Sequence, residues 1–254
     1  MNTKTNKFDA AALPLLIIGG LLTLFAFVFT FTLTPPQPGA TELPGGILID
    51  VGGVFESLNK LPLFSQKIFY FHMPVAVVSF ASLIFTAIYG ILFLRTRDSK
   101  YDMRAKTATE MALVFVLMTM VSGLAWTRHD WGVWWSWEPR LTTYFILMLM
   151  VFGYFILRTA VSDPERKATY SAVFGIIVFI NAPISFMVTR LIPSVHPVVV
   201  KAGESMPPLM VIPLVVAVVG FACIGFALYR GRLRAYQMEE RVETLKITLD
   251  ELEG

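Results

Sequence analysis

The apolar residues of this chain are grouped into long blocks, and the charged residues fall between the blocks. Six blocks are long enough to cross the ~30 Å hydrocarbon core of a bilayer as helices. They cover residues 11–34, 68–94, 108–126, 141–157, 169–189 and 209–229. A soluble helix or strand would instead mix apolar and polar positions at its own period. The pattern therefore predicts six membrane-spanning helices.

Composition agrees with this interpretation. The chain has 254 residues, of which 56% are hydrophobic and 15% are charged, and its mean hydropathy is +0.66. These values are outside the usual range of soluble domains. The predicted fold class is an all-α integral membrane protein, with a six-helix domain over residues 1–230 and a short helical tail over residues 231–254. The first block exceeds the apolar region of a secretion signal, and we expect it to stay as an anchor.

The positive charges predict the orientation of the helices. If the N-terminus is cytoplasmic, fifteen of the 21 Lys and Arg residues lie in the inner segments and six in the outer segments. This bias follows the positive-inside rule and predicts that both termini are cytoplasmic. The net charge of +3 is then explained by topology, and it calls for no nucleic-acid partner.

All five tryptophans lie in one predicted outer segment, between the third and fourth spans, which contains the sequence RHDWGVWWSWEPRL. They are Trp126, Trp131, Trp134, Trp135 and Trp137. An interfacial aromatic belt is one interpretation, although a belt spreads over many helix ends. We favour a platform of flat rings, which suits a large planar ligand.

The local sequence of this segment predicts a short helix of its own. Asp130 is a suitable N-cap, and Trp131, Trp134 and Trp135 have the spacing of one helical face. Pro139 is expected to end this helix near Trp137 and to begin the fourth span.

The three histidines, His72, His129 and His196, all fall at the predicted outer boundary. A lone histidine is usually a hydrogen-bonded side chain, but imidazole is also a common axial ligand of haem iron. Arg128 and Arg140 flank the tryptophans and suit the anionic groups of a ligand. A planar apolar ligand with carboxylates and a central metal is haem. All three imidazoles are competent ligands on chemistry alone.

Other residues narrow the possible mechanisms. The middle of each predicted span has no ionisable residue, unlike most proton-coupled transporters. No Gly-Lys-Ser/Thr phosphate-binding loop is present in the sequence. The single cysteine, Cys223, is not part of a C-x-x-C-H motif, so covalent attachment of haem to thiols is not expected.

The segment WGVWWSWEPRLT resembles the tryptophan-rich signature of haem-handling proteins. With six spans and histidines before and after the loop, residues 60–230 resemble the C component of the bacterial cytochrome c maturation system. The resemblance implies a multi-pass protein of the bacterial inner membrane that is not an enzyme. It implies that the protein binds haem b non-covalently at the periplasmic face and passes it to a membrane-anchored periplasmic haem chaperone. The further partners that it implies are ABC-type ATPase and permease subunits and a small membrane subunit.

The resemblance also implies roles for individual residues. His72 and His196 correspond to the axial ligands of the haem iron, and the loop at residues 126–142 corresponds to the haem cradle. The cradle residues implied are Trp126, Arg128, Trp131, Gly132, Trp134, Trp135, Trp137, Glu138 and Arg140. Glu138 stands where the family usually has an aspartate. It either orients the loop or contacts a partner, which is the interpretation we favour, or it only caps the fourth span. His129 has no counterpart in the family.

Two segments and two other functions stay open at this stage. Residues 35–66 form a Pro- and Gly-rich outer segment that is a surface cover, a partner contact or a plain connector. The tail has an apolar stripe at Met238, Val242, Leu245, Leu249 and Leu252, which would suit contact with an ATPase complex or belong to a solvated helix. The alternative functions are a membrane b-type cytochrome that exchanges electrons with quinone, and a passive permease or assembly scaffold.

Overall fold

A computed structural model describes residues 11–34, 62–192 and 208–253, together with Met206, and it describes side chains of the second helix from Lys67 onward. Its helices are α1 (Ala12–Thr32), α2 (Pro62–Thr96), α3 (Ser99–Trp131), α4 (Pro139–Ala160), α5 (Pro164–Leu191) and α6 (Pro208–Glu253). These described residues contain no β-strand. All six helices are long and apolar enough to cross a membrane. The predicted all-α, six-span fold is confirmed.

The helices are longer than the apolar blocks because helical hydrogen bonding continues into the polar flanks. Asp98, Glu138 and Asp163 each accept a hydrogen bond from a backbone N–H in the first turn of α3, α4 and α5. Pro139 and Pro164 occupy the first turns of α4 and α5, where no backbone donor is needed. The predicted place of Pro139 is confirmed.

Successive helices run in opposite directions, and side-chain contacts join the ends that this arrangement brings together. At one end of the bundle, Thr143 of α4 donates to Ser185 of α5 over 3.1 Å. At the other end, Arg158 of α4 pairs with Asp102 of α3 at 2.7 Å. We call the end that carries residues 126–138 the tryptophan end.

The core is divided between two groups of helices. Helices α2, α3, α4 and α5 bury one cluster, which consists of Leu83, Ala112, Leu147, Val151, Val178 and Ala182. Helices α2, α3 and α6 bury a second cluster, which consists of Val75, Val78, Phe115 and Phe221. Helix α1 packs mainly against α6. Helices α2 and α4 have no backbone contact with each other, although α3 and α5 each pack against both.

The predicted helical tail is the C-terminal part of α6 rather than a separate helix. A span needs about 20 residues, so this 46-residue helix extends well past the hydrocarbon core. All residues of its apolar stripe are exposed, from 48% at Met238 to 78% at Leu252. The segment at residues 35–66 falls outside the described residues up to residue 61, and its last five residues belong to α2.

The contact between α1 and α6 depends on glycine, and this gives a first testable prediction. A Cβ atom at Gly19 would lie 2.7 Å from the backbone oxygen of Gly220, whereas a Cβ at Gly20 would have nothing within 4 Å. We expect Gly19→Ala to lower the free energy of unfolding by about 1–3 kcal/mol through steric strain. Gly20→Ala, the matched control, should be neutral or slightly stabilising because alanine favours helix.

Thermal unfolding of both variants in detergent measures the difference. Equal melting temperatures for the two variants would contradict the close packing of α1 on α6.

Candidate functional site

A cleft opens at the tryptophan end between α2, α3 and α4, and it encloses about 650 Å³ of empty space, part of which is open to the surroundings. We call it the tryptophan cleft. Its lining residues are His72, Ala76, Thr119, Met120, Gly123, Leu124, Trp126, Thr127, Asp130, Trp131, Arg140, Leu141 and Tyr144.

His72 lies in α2, ten residues after the helix begins, and its ring faces α3. The His72 and Trp126 rings are 5.9 Å apart and nearly perpendicular. A Cβ at Gly123 would be 3.2 Å from the His72 Cε1 atom, so the glycine allows the imidazole to lie close to α3. The predicted convergence of His72 with the tryptophan segment is therefore observed.

The Ser122 hydroxyl contacts one nitrogen of the His72 ring. Its oxygen lies 2.9 Å from His72 Nδ1, within hydrogen-bond distance. The same hydroxyl is 2.8 Å from the Met118 carbonyl oxygen of its own helix, which fixes its position on α3. The contact with Ser122 therefore involves Nδ1, and Nε2 is the other ring nitrogen through which an imidazole can bind a metal ion.

Arg140 brings a positive charge to the cleft from the first turn of α4. Its guanidinium group is half-buried and lies 5.5 Å from the centre of the Phe186 ring. The nearby Glu138 carboxylate acts on its charge, and among the described residues no carboxylate is within ion-pair distance of it. A cation in this position favours an anionic group on a ligand in the cleft, because a partly buried charge is stabilised by a partner.

The predicted short helix over residues 130–137 is wrong. Helix α3 continues to Trp131 and ends at Gly132, whose φ of 73° lies in the left-handed region that favours glycine. Asp130 is therefore in the last turn of α3, where its carboxylate accepts from Trp126 Nε1 over 2.5 Å, and it is not an N-cap. Residues 132–138 form a non-helical loop, so Trp134 and Trp135 do not share a helical face with Trp131.

The five tryptophans divide into two groups. Trp126 and Trp131 line the cleft. Trp134 and Trp137 are 63% and 75% exposed, and Trp135 contacts Trp137 edge to face with ring centres 5.3 Å apart. The second group forms an exposed aromatic surface beside the cleft, which we call the tryptophan rim.

The loop is held by its charged residues. Arg128 donates to the Gly132 carbonyl oxygen, and its guanidinium lies 5.9 Å from the Trp134 ring centre. Glu138 is 8% exposed, and its carboxylate accepts from the backbone N–H of Leu141 over 2.6 Å. Glu138 is thus a cap of α4, as one of its two interpretations predicted. A role in orienting the loop stays a prediction.

Three buried polar atoms at the base of the loop lack a hydrogen-bond partner among the described residues. They are Trp135 Nε1, Ser136 Oγ and Thr142 Oγ1. A buried polar group without a partner costs about 1–3 kcal/mol, which is recovered when a partner is present. Their place beside the cleft and the rim favours a ligand or a protein contact at this end.

Of the other two histidines, the structure describes His129. His129 Nδ1 lies 3.1 Å from Asp130 Oδ1, and His129 is not among the residues that line the cleft. His196 lies outside the described residues. The structure therefore brings His72, Trp126, Trp131 and Arg140 together in one cleft, and it places Arg128, Gly132, Trp134, Trp135, Trp137 and Glu138 around it.

Sequence reasoning missed Ser122, Gly123 and Tyr144. All three lie within apolar blocks, where serine, glycine and tyrosine are ordinary residues. Ser122 and Gly123 precede Trp126 by one helical turn, and this spacing is the only signal that could have drawn attention to them. Their importance depends on His72, which is distant in sequence.

Comparison with known proteins gives a consistent result. A family model described as heme exporter protein C matches residues 63–248. The heme exporter protein C of Bradyrhizobium diazoefficiens is 30% identical over 184 residues, which are 71% of this chain and 70% of the relative. That of Paracoccus denitrificans is 28% identical over 183 residues, 70% of this chain and 76% of the relative. A cytochrome c biosynthesis ccmC-like mitochondrial protein of Arabidopsis thaliana is 41% identical over 105 residues, 39% of this chain and 41% of the relative.

Proposed function

The chain belongs to the heme exporter protein C family, and on this basis we propose that it binds haem non-covalently in the tryptophan cleft and delivers it to a haem chaperone during cytochrome c maturation. Haem is the cargo in this proposal, and the protein is a haem-handling component rather than an enzyme. The haem is haem b, which has no thioether bonds to cysteine.

One observation carries the proposal: a metal-binding imidazole, two indole rings and a guanidinium group line the same cleft. His72 Nε2 suits the iron, and Trp126 and Trp131 suit the flat macrocycle. Arg140 suits a propionate, since a guanidinium forms strong, directed hydrogen bonds with carboxylates. The residues present thus match the chemistry of haem.

A second axial ligand is proposed at His196. Helix α5 ends at Leu191, and the contact of Ser185 with Thr143 places that end of α5 beside the start of α4. His196 follows five residues later in the chain. Two axial ligands must approach the iron from opposite faces of the macrocycle. The choice of His196 rather than His129 as the second ligand rests on the family resemblance.

We place the tryptophan end at the periplasmic face of the bacterial inner membrane. The fifteen positive charges assigned to the inner side support this orientation, because cytoplasmic loops are enriched in Lys and Arg. The proposed partner at the tryptophan rim is the membrane-anchored haem chaperone. On the opposite side, the exposed stripe of α6 is the proposed contact for the ATPase and permease subunits, and a small membrane subunit completes the complex.

The orientation gives a second testable prediction. In a Cys223→Ala background, a cysteine at Val133, which is 45% exposed, should react with an impermeant thiol reagent in intact spheroplasts. Ser99 is the first residue of α3, at the opposite end of the bundle. A cysteine at this position should react only after permeabilisation. Reaction of both cysteines in intact spheroplasts would contradict the proposed orientation.

Haem titration of the purified apoprotein tests the function and gives a third prediction. We expect one haem per chain with a Soret band of ligated iron. Arg140→Gln should weaken haem binding about 10–100-fold, because a hydrogen bond to a charged group is worth about 1.5–3 kcal/mol. Arg190→Gln is the matched control, since Arg190 lies 5.2 Å from the centre of the same Phe186 ring but does not line the cleft.

Absence of haem binding by the unaltered protein would refute the proposed function. Rapid reduction of the bound haem by added quinol would favour a membrane b-type cytochrome.

A further inference from the structure

A second cavity adjoins the tryptophan cleft, between α2, α4 and α5. It encloses about 920 Å³ of empty space, part of which is open to the surroundings. Its walls are mainly apolar and include Met73, Phe80, Ala182, Phe186 and Met187. We call it the side cavity.

The side cavity and the cleft share three lining residues, Ala76, Arg140 and Tyr144. Since α2 and α4 have no backbone contact, only side chains separate the two spaces. The most prominent is Tyr144, whose hydroxyl lies 3.2 Å from the Ser79 hydroxyl of α2. The Tyr144 hydroxyl also has a hydrogen bond with Thr119 of α3. Rotation of Tyr144, with loss of these two hydrogen bonds, would join the two spaces.

The rim of the side cavity faces outward from the bundle. Phe80, Phe186 and Met187 are 37%, 47% and 41% exposed. Exposed apolar side chains on membrane-spanning helices contact lipid acyl chains, because these faces lie within the hydrocarbon core. The side cavity is thus accessible from the lipid.

Both α2 and α5 contain a proline near this cavity. Pro183 of α5 lines the cavity, and Pro74 of α2 lies two residues before the shared Ala76. A proline within a helix removes one backbone hydrogen bond and allows the helix to bend. Two of the three helices that bound the cavity can therefore bend at the depth where it meets the cleft.

We propose that the side cavity is a second, lipid-side binding site for haem, from which haem reaches the tryptophan cleft past Tyr144. This inference rests on the proposed function. Haem fits the chemistry of the path, since its macrocycle is apolar and its propionates are anionic. Arg140 lines both spaces, so its guanidinium can hold a propionate while the macrocycle moves from one space to the other.

Haem is supplied by two routes, so that the proposed role of the side cavity is tested separately from the proposed function. In the lipid route, haem-loaded liposomes are fused with proteoliposomes that contain the apoprotein, and excess apomyoglobin captures haem that leaves the bilayer. In the aqueous route, haem is added as its albumin complex to the same proteoliposomes. The rise of the Soret band of the protein gives the rate of loading in each case.

The test variant is Ala182→Phe, because Ala182 is buried at 5% exposure and lines the side cavity but not the cleft. We expect it to slow loading by the lipid route about tenfold and to leave the aqueous route unchanged, because the added ring fills the cavity. Ile180→Phe is the matched control, since it adds a ring to the 53% exposed face of the same helix. Ala182→Leu fills the cavity less and gives an intermediate rate if Ala182→Phe folds poorly.

The outcomes distinguish a failure of the proposed function from a failure of the proposed haem site in the side cavity. If the unaltered protein takes up haem by neither route, the proposed function fails. If it takes up haem but Ala182→Phe slows neither route, or slows both equally, the side cavity is not a haem site. Tyr144→Phe, which loses the hydrogen bonds to Ser79 and Thr119, should speed loading by the lipid route, and a slower rate would contradict the path past Tyr144.

Discussion

Replacement of His72 by alanine is expected to convert the bound haem from a six-coordinate, low-spin form to a five-coordinate form that is held much more weakly. His72 supplies the one described imidazole that lines the tryptophan cleft. Its Nδ1 lies 2.9 Å from the Ser122 hydroxyl, and we expect this contact to orient Nε2 as the ligand nitrogen. Added imidazole should restore part of the low-spin spectrum, because it can occupy the space that the side chain leaves.

Two further histidine variants complete this experiment. His196→Ala should give the same spectral change if His196 is the second axial ligand. His129→Ala is the matched control and should keep the six-coordinate spectrum, since His129 does not line the cleft. If His129→Ala loses that spectrum while His196→Ala keeps it, the proposed ligand pair is wrong and the ligands are His72 and His129.

Ser122→Ala tests whether the hydrogen bond matters as well as the ligand. Loss of a group that orients a metal ligand typically costs about 10–100-fold in affinity. The six-coordinate spectrum should persist in this variant, with weaker binding, because His72 itself remains. A spectrum and affinity equal to those of the unaltered protein would show that Ser122 only fills space.

The second large effect is expected at the opposite end of the bundle, where Arg158 of α4 pairs with Asp102 of α3. The two terminal nitrogens of the guanidinium group, Nη1 and Nη2, donate to the two carboxylate oxygens over 2.7 and 2.8 Å. The side chains are only 12% and 17% exposed. Asp102→Ala leaves the guanidinium of Arg158 without its carboxylate, and we expect it to lower the free energy of unfolding by about 3–5 kcal/mol.

Controls separate the loss of the pair from the loss of the side chain. The double variant Asp102→Ala/Arg158→Met should recover much of the stability, since replacing both partners of a buried pair is often nearly neutral. Lys100→Ala breaks a fully exposed pair with Asp98 and should leave the melting temperature almost unchanged, because water screens such pairs. Thermal unfolding in detergent measures all three, and equal effects of Asp102→Ala and Lys100→Ala would show that the Arg158 pair is not effectively buried.

The helix ends show which features local sequence signals predict and which they do not. The apolar blocks located all six spans, but α3 begins nine residues before its block, at Ser99. The segment before the block contains Asp102, which is paired with Arg158 of α4. This partner comes from a distant part of the chain, so a hydropathy pattern could not indicate that the charged segment is helical and packed.

The tryptophan loop shows where local signals conflict. Asp130 and the tryptophan spacing favour a new helix, whereas Gly132 favours the end of the preceding one. In the structure α3 extends to Trp131 and ends at Gly132. A glycine in the left-handed conformation ends a helix at little cost in free energy. The sequence contained both signals, and only the length of the packed helix decided between them.

The sequence by itself determined that this chain is a six-span membrane protein with its tryptophans at one end, because hydropathy and residue position are local properties. It also contained the imidazole, indole and guanidinium groups that suggest haem. The tertiary structure alone decided that His72, Trp126 and Arg140 share one cleft, that Ser122 contacts His72, and that a side cavity meets the cleft at Tyr144. These relations join residues of α2, α3 and α4 that are distant in sequence, and the packing of helices determines which of their faces meet.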